Sequence, residues 1–356
     1  MNKKVITGIV AVVITALVGV GAYFVLKPKK QPAKKKVVET TTVEVTTKDP
    51  YAGKVQSYLT GEMISKKRKK KRPVAIMINN IKDAIPQYGI SKAEVMYEAP
   101  VEGGITRLMA IMDDYDNLKR IGSIRSCRIY YTRFALEWDA IYSHFGQSKY
   151  ALKFLKSGKI DTVNSFTAGD SFYRTSDKPA PHNCYISGKN MNSAIKKLKR
   201  RSVHKKYNGT LKFVPFKSKA NLVGKVKKAK TVSMGYSHNA SYYKYDKKNK
   251  VYKRYQFGQK HIDATNKKQL TFKNIIIQAV DYKMFPDKKS LKLKLTGSGK
   301  GYYITNGKAE KITWKKDDDL GKTTFLDKNG NEILVNTGKT MINIVQKSMF
   351  NGVKIK

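Results

Sequence analysis

The stretch Pro73–Asn80, PVAIMINN, decides the fold. Its apolar residues run without a helical period and stop abruptly at two asparagines. Such a run reads as a strand buried on both faces, ending at a polar edge that can carry a site. Outward from it, EVMYEAP (Glu94–Pro100) and TRLMAIMDD (Thr106–Asp114) read as strands joined by the turn-like VEGG. In CRIYYTRFALEW (Cys127–Trp138), Tyr130, Phe134 and Trp138 recur at i, i+4 and i+8, one face of a helix. DAIYSHFG (Asp139–Gly146) follows as strand and turn, SKYALKFLKSG as a helix closed by Gly158, and NMNSAIKKLKRR (Asn190–Arg201) as a basic amphipathic helix. Beyond Tyr207 the texture turns to short strands, with hairpin turns at Asn306-Gly307 and Asn329-Gly330. The predicted fold is α+β. An N-terminal α/β-type mixed-sheet domain with helices (residues 58–206) precedes a smaller β-rich C-terminal domain (207–356).

The N-terminus sets the compartment. Val5–Leu26 is a 22-residue run without charge, against about 20 residues needed to span a bilayer. Residues 1–27 therefore read as an uncleaved transmembrane signal anchor, and 28–57, rich in Lys, Thr and Pro, as an extended tether. Lysines after the apolar run outnumber Lys3 and Lys4, which taken alone favours a cytoplasmic bulk. Long domains translocate largely regardless of such charges, so the bulk is expected outside the cell, single-pass.

The formal charge of +46 demands an anionic partner. Wall polymer, lipid headgroups and nucleic acid all qualify. The run KKRKKKR (Lys66–Arg72) would serve nucleic acid but reads more simply as a solvated, flexible lead-in to the first strand. Cys127 and Cys184 are too few for a disulfide framework and do not form a CxxC; a single disulfide between them stays open. No HxxxH or HxH spacing supports a metal, and no cofactor is expected. The oligomeric state is not legible.

In a chain with 72 lysines and arginines, arginine is the rare choice. A planar guanidinium grips a carboxylate or phosphate through two parallel bonds, which an ammonium cannot do. Arginines gather in the first domain at Arg107, at Arg125 and Arg128 in IGSIRSCR (Ile121–Arg128), and at Arg174. Ser126 is placed to N-cap a helix beginning at Cys127, which would set free N–H groups beside two guanidiniums. These residues, with Asn183, form a candidate ligand-binding set. Candidate acid–base groups are His144 and His182, with Glu98, Glu102 or Asp139 as partners. Cys127, between arginines, would have a lowered pKa if it stood at the helix start, yet a buried small residue explains it equally.

RPVAIMINN, EVMYEAPVEGGITR, IGSIRSCR, DAIYSHFGQS and APHN followed by Tyr185 resemble the YerB-like lipoprotein family of Gram-positive bacteria. GSGKGYYITNGKAEKITWKK and NTGKTMINIV resemble its C-terminal module. The resemblance spans about Thr60 to Val345 and implies an α+β first domain, a β-rich second one and an exported, membrane-tethered location. It implies no biochemical activity. The family's lipid-modified cysteine has no counterpart after the apolar run, and Cys127 and Cys184 replace a small and an apolar residue, which argues against an essential nucleophile. The expectation is a membrane-anchored extracytoplasmic protein that binds an anionic envelope component through arginines. An enzyme acting on envelope polymers is the alternative, and nucleic-acid binding a weaker third reading.

Overall fold

Val74–Asn79 forms the expected strand, β1, with every residue buried. The computed structural model describes residues 49–356, which make one unit. The neighbours of β1 follow in chain order as Val95–Pro100 (β2), Thr106–Met112 (β3) and, after the helix Ile129–Glu137 (α1), Ile141–His144 (β4). The helix Lys149–Leu155 (α2) then leads to Thr162–Asn164 (β5), and the helix Gly188–Lys197 (α3) closes the first half. The second half contributes Asn274–Met284 (β6), Gly297–Thr305 (β7), Lys308–Lys316 (β8) and Thr340–Gln346 (β9).

These strands belong to one twelve-stranded sheet, ordered β8-β7-β6-β9-β2-β3-β1-β4-β5, with β5 at one edge and three further short strands beside β6 and β8. β1 pairs antiparallel with β3 and parallel with β4, and β9 pairs parallel with both β6 and β2. β1, β2, β4, β6 and β9 therefore point the same way. The run in β1 is continuously apolar because both sheet faces are covered. Ala75 and Met77 face Tyr131, Phe134 and Trp138 of the α1 region. Val74, Ile76 and Ile78 face Met191 and Ala194 of α3. Val232, Tyr243 and Tyr252, from a second, six-stranded sheet in the C-terminal half, join that same core.

The two modules of the sequence are thus joined through shared strands. β9, near the C-terminus, pairs with β2 from Thr340↔Val95 to Asn343↔Glu98. Glu98 is fully buried at this seam and forms an ion pair with Arg254, also fully buried, at 2.8 Å. Its carboxylate further accepts from Asn80, Thr106, Asn239 and Ser241, at 2.7–3.1 Å. A buried carboxylate is tolerated only when its charge and lone pairs are met in this way.

Several expectations change. The stretch expected as tether is folded at its end: Lys54–Gln56 pairs with Met63–Ser65 as a hairpin. Lys66–Arg72 is not a free basic lead-in. Ser65 caps a short helix over Lys66–Lys70. Arg68 is bound by Glu94 and Asp113, Lys71 by Asp116, and the buried Arg72 by Asp139 and Asp161. The hairpin at Asn306-Gly307 forms as expected, joining β7 to β8. Val5–Leu26 and residues 28–48 lie outside the described residues. Among the described residues no helix is long and apolar enough to cross a membrane.

Candidate functional site

The site grows from the ends of β1 and β4. In sheets with parallel neighbours, the carboxyl ends of strands are where loops diverge and ligands settle. Here IGSIRSCR is laid across those ends. Asn79 N–H donates to the Ser123 carbonyl (2.9 Å) and Arg125 N–H to that of Met77 (3.1 Å). Phe145 N–H donates to Arg125, and Cys127 N–H to Gly146 at 3.0 Å. The segment is thereby stitched to the strand ends, and Arg125, Ser126 and Arg128 are held there by main chain.

Arg107, opposite Asn79 in the β1–β3 register, reaches this edge from below. Its guanidinium is nearly buried and donates to the Ser126 carbonyl. Burial first, then Arg128 and Arg125, push its pKa down to about 10. Arg125 is lowered too, by burial and by Arg128 and Arg174; its Nε is buried without a partner among the described residues, and Nη1 only grazes the Pro181 carbonyl at 3.5 Å. Arg174 lies over the Phe145 ring and donates to Asn183 Oδ1 at 2.7 Å. Arg128 differs, since Glu102 takes its Nε and Nη2 at 2.7 Å.

The two histidines join this edge in fixed neutral forms. Asn79 Nδ2 donates to His182 Nδ1 at 2.9 Å, leaving the proton on Nε2. Burial and Arg125 lower the His182 pKa. His144 ends β4, fully buried, and its Nδ1–H donates to the Gly146 carbonyl at 2.8 Å. Its Nε2 has no partner among the described residues, and burial lowers its pKa to about 4. Gly146 adopts φ +76°, and a Cβ there would stand 2.9 Å from Ser126 Oγ. The turn therefore needs glycine.

Arg107, Arg125, Ser126, Arg128, Arg174, His144, His182, Asn183 and Glu102 come together in this way; Glu98 and Asp139 do not. Glu98 is consumed by Arg254 and the polar groups around it. Asp139 precedes β4, at the opposite end from His144, where burial raises its pKa but His204, Arg201 and Arg72 outweigh this and hold it at about 2. Neither can orient His144. Ser126 is not a helix cap: α1 begins at Ile129 with Arg128 in the cap position, because the chain from Ser123 to Cys127 is bonded to the strand ends and the turn after β4. Cys127 and Cys184 are free and buried, and burial pushes the Cys127 thiol up to about 12, the reverse of an activated nucleophile. Sequence reading missed Asn79, although the abrupt polar end of PVAIMINN signals it, and Gly146. It also missed Arg254 as the partner of Glu98, 156 residues away, for which no local signal exists.

Fold and site together define a two-module sheet protein with a cationic edge at the carboxyl ends of its parallel strands. The chain belongs to the YerB-like family: the model described as "Protein of unknown function (DUF3048) N-terminal domain" matches residues 59–201, and its C-terminal counterpart matches 232–342. The relative named "Putative lipoprotein YerB" of Bacillus subtilis (strain 168) is 30% identical over 306 residues, covering 83% of this chain and 87% of that one. The crystal structure of the YerB protein from Bacillus subtilis superposes with a TM-score of 0.75 at 28% identity, covering 85% of this chain and 99% of that one.

Proposed function

We propose that this protein binds an anionic component of the cell envelope, a phosphate- or carboxylate-bearing wall polymer, at the Arg107–Arg125–Arg174 edge. One observation carries the reading. The chain has eleven arginines, at positions that include both modules. Eight of them meet a carboxylate. Among the described residues, the three that meet none are Arg107, Arg125 and Arg174, at one edge. Gathering unpaired guanidiniums in a partly buried place raises the free energy unless an anion arrives there. The Nε2–H of His182 adds a neutral donor.

The name of the Bacillus subtilis relative and the apolar run Val5–Leu26 support an extracytoplasmic, membrane-associated location, with the apolar run as the tether. There the lysine-rich exterior would lie against anionic headgroups or wall. The test is binding of the full chain, in detergent, to purified wall polymer at physiological ionic strength. Arg125→Ala should weaken binding about tenfold, the loss of one charge-assisted contact. Equal affinity in the variant would leave only diffuse attraction and overturn the specific site.

A further inference from the structure

The second module carries a separate concentration of unpaired positive charge. A cavity of about 660 Å³ lies at the amino ends of β6 and β9, the sheet edge opposite the arginines. Lys217, Lys219, Lys250, Lys273 and Lys308 line it, and no carboxylate does. Lysines elsewhere, such as Lys71, Lys212, Lys253 and Lys316, do pair with acids. Among the described residues, none of the five in the cavity has such a partner. Lys273 is half-buried, with Nζ held at 2.6 Å by Asn306 Oδ1 and at 3.1 Å by the Lys250 carbonyl. Thr337 also lines the cavity, and its hydroxyl lies beneath the surface without a hydrogen-bond partner among the described residues.

We propose that this cavity is a second anion site, which takes a phosphate or phosphodiester group. Like charges gathered around a concave space repel unless a counter-charge sits among them, although Lys217, Lys219, Lys250 and Lys308 are themselves exposed. Lys273, half-buried and fixed by Asn306 and the Lys250 carbonyl, supplies a positioned donor that a diffuse cationic surface lacks. Ammoniums on flexible stems suit a tetrahedral oxyanion whose oxygens point in several directions, whereas the arginine edge suits planar, two-point contact. β6 and β9 are paired over seven residues, so roughly 20 Å of sheet separates the two edges. One small anion cannot bridge them, and a repeating polyanion would engage each independently. The proposal shares the ligand class of the reading above but none of its residues.

Calorimetric titration of the full chain in detergent with tripolyphosphate, at about 0.15 M salt, tests this. The wild type should show two sites. Lys219→Glu with Lys250→Glu should remove one and leave the one that Arg125→Ala weakens, while Lys273→Met should weaken the lysine site severalfold. Lys205→Glu with Lys206→Glu, the same charge change on the first module, is the control. If that pair lowers binding as much as the cavity pair does, or if the wild type shows no saturable site, the proposal is overturned. Binding that responds to the cavity pair but not to Arg125→Ala would sustain this site and overturn the arginine one.

Discussion

Arg107 is a guanidinium almost removed from water and held by a carbonyl instead of a carboxylate. Such a charge is a cost to the fold, in contrast to Arg254, whose charge is met by Glu98. Replacing a buried charge that no carboxylate compensates by an apolar residue of similar volume removes its desolvation penalty. Arg107→Met should therefore leave the urea midpoint unchanged or raise it, while abolishing stabilisation by added wall polymer. A lowered midpoint would show that Arg107 serves the fold. His144 supplies a prediction in pH. Its folded pKa, about 4 against an ordinary 6.5, means that the unfolded chain takes up the proton first as the solution is acidified. Stability is thus complete above about pH 6.5 and is lost as pH falls toward 4, by about 3 kcal/mol in all. His144→Gln should flatten that part of the acid limb in denaturation curves recorded across the range.

At the scale of elements, the turn after β4 decides whether IGSIRSCR can lie across the strand ends. Gly146 holds a left-handed conformation, and its carbonyl accepts from both Cys127 N–H and His144 Nδ1. Gly146→Ala forces a strained φ and a close approach to Ser126 Oγ, costing about 1–3 kcal/mol. Its urea midpoint should fall accordingly, and polymer affinity should fall with it. An unaltered affinity would separate the turn from the site. The strands and helices themselves were legible in the sequence to within a few residues. Val74–Asn79 and Ile141–His144 lie inside the predicted runs, because side-chain period and apolar content are local properties. The start of α1 was misplaced by two residues because Cys127 is hydrogen-bonded to the turn after β4 and Arg128 takes the extended cap position, which no local rule reveals.

Across the whole molecule, the seam between the modules is the decisive feature. β9 completes β2 by parallel pairing, and the Glu98–Arg254 pair locks the same place from the second sheet. Glu98→Gln leaves Arg254 buried and unpaired and should cost about 3–5 kcal/mol, whereas Glu98→Met with Arg254→Met should recover most of that loss. Urea denaturation of the three proteins checks it; an equal loss in the double variant would refute the paired-charge account. Residues 58–206 and 207–356, produced separately, should each expose an open strand edge and aggregate or remain unfolded. The intact chain should melt in one calorimetric transition.

The sequence alone determined the element types, the two modules, the family and the unusual placing of arginine among lysines. It also singled out His144 and His182, as candidate acid–base groups. Only the tertiary structure decided which arginines lack an acid, that Glu98 and Asp139 serve the fold, and that the modules share one sheet. The physical reason is range. Periodicity and backbone preference act over a few residues, whereas an ion pair such as Glu98–Arg254 depends on where distant strands meet. In a chain so rich in lysine, positive charge by itself says little. The pairing of each charge carries the information, and pairing exists only in the folded molecule.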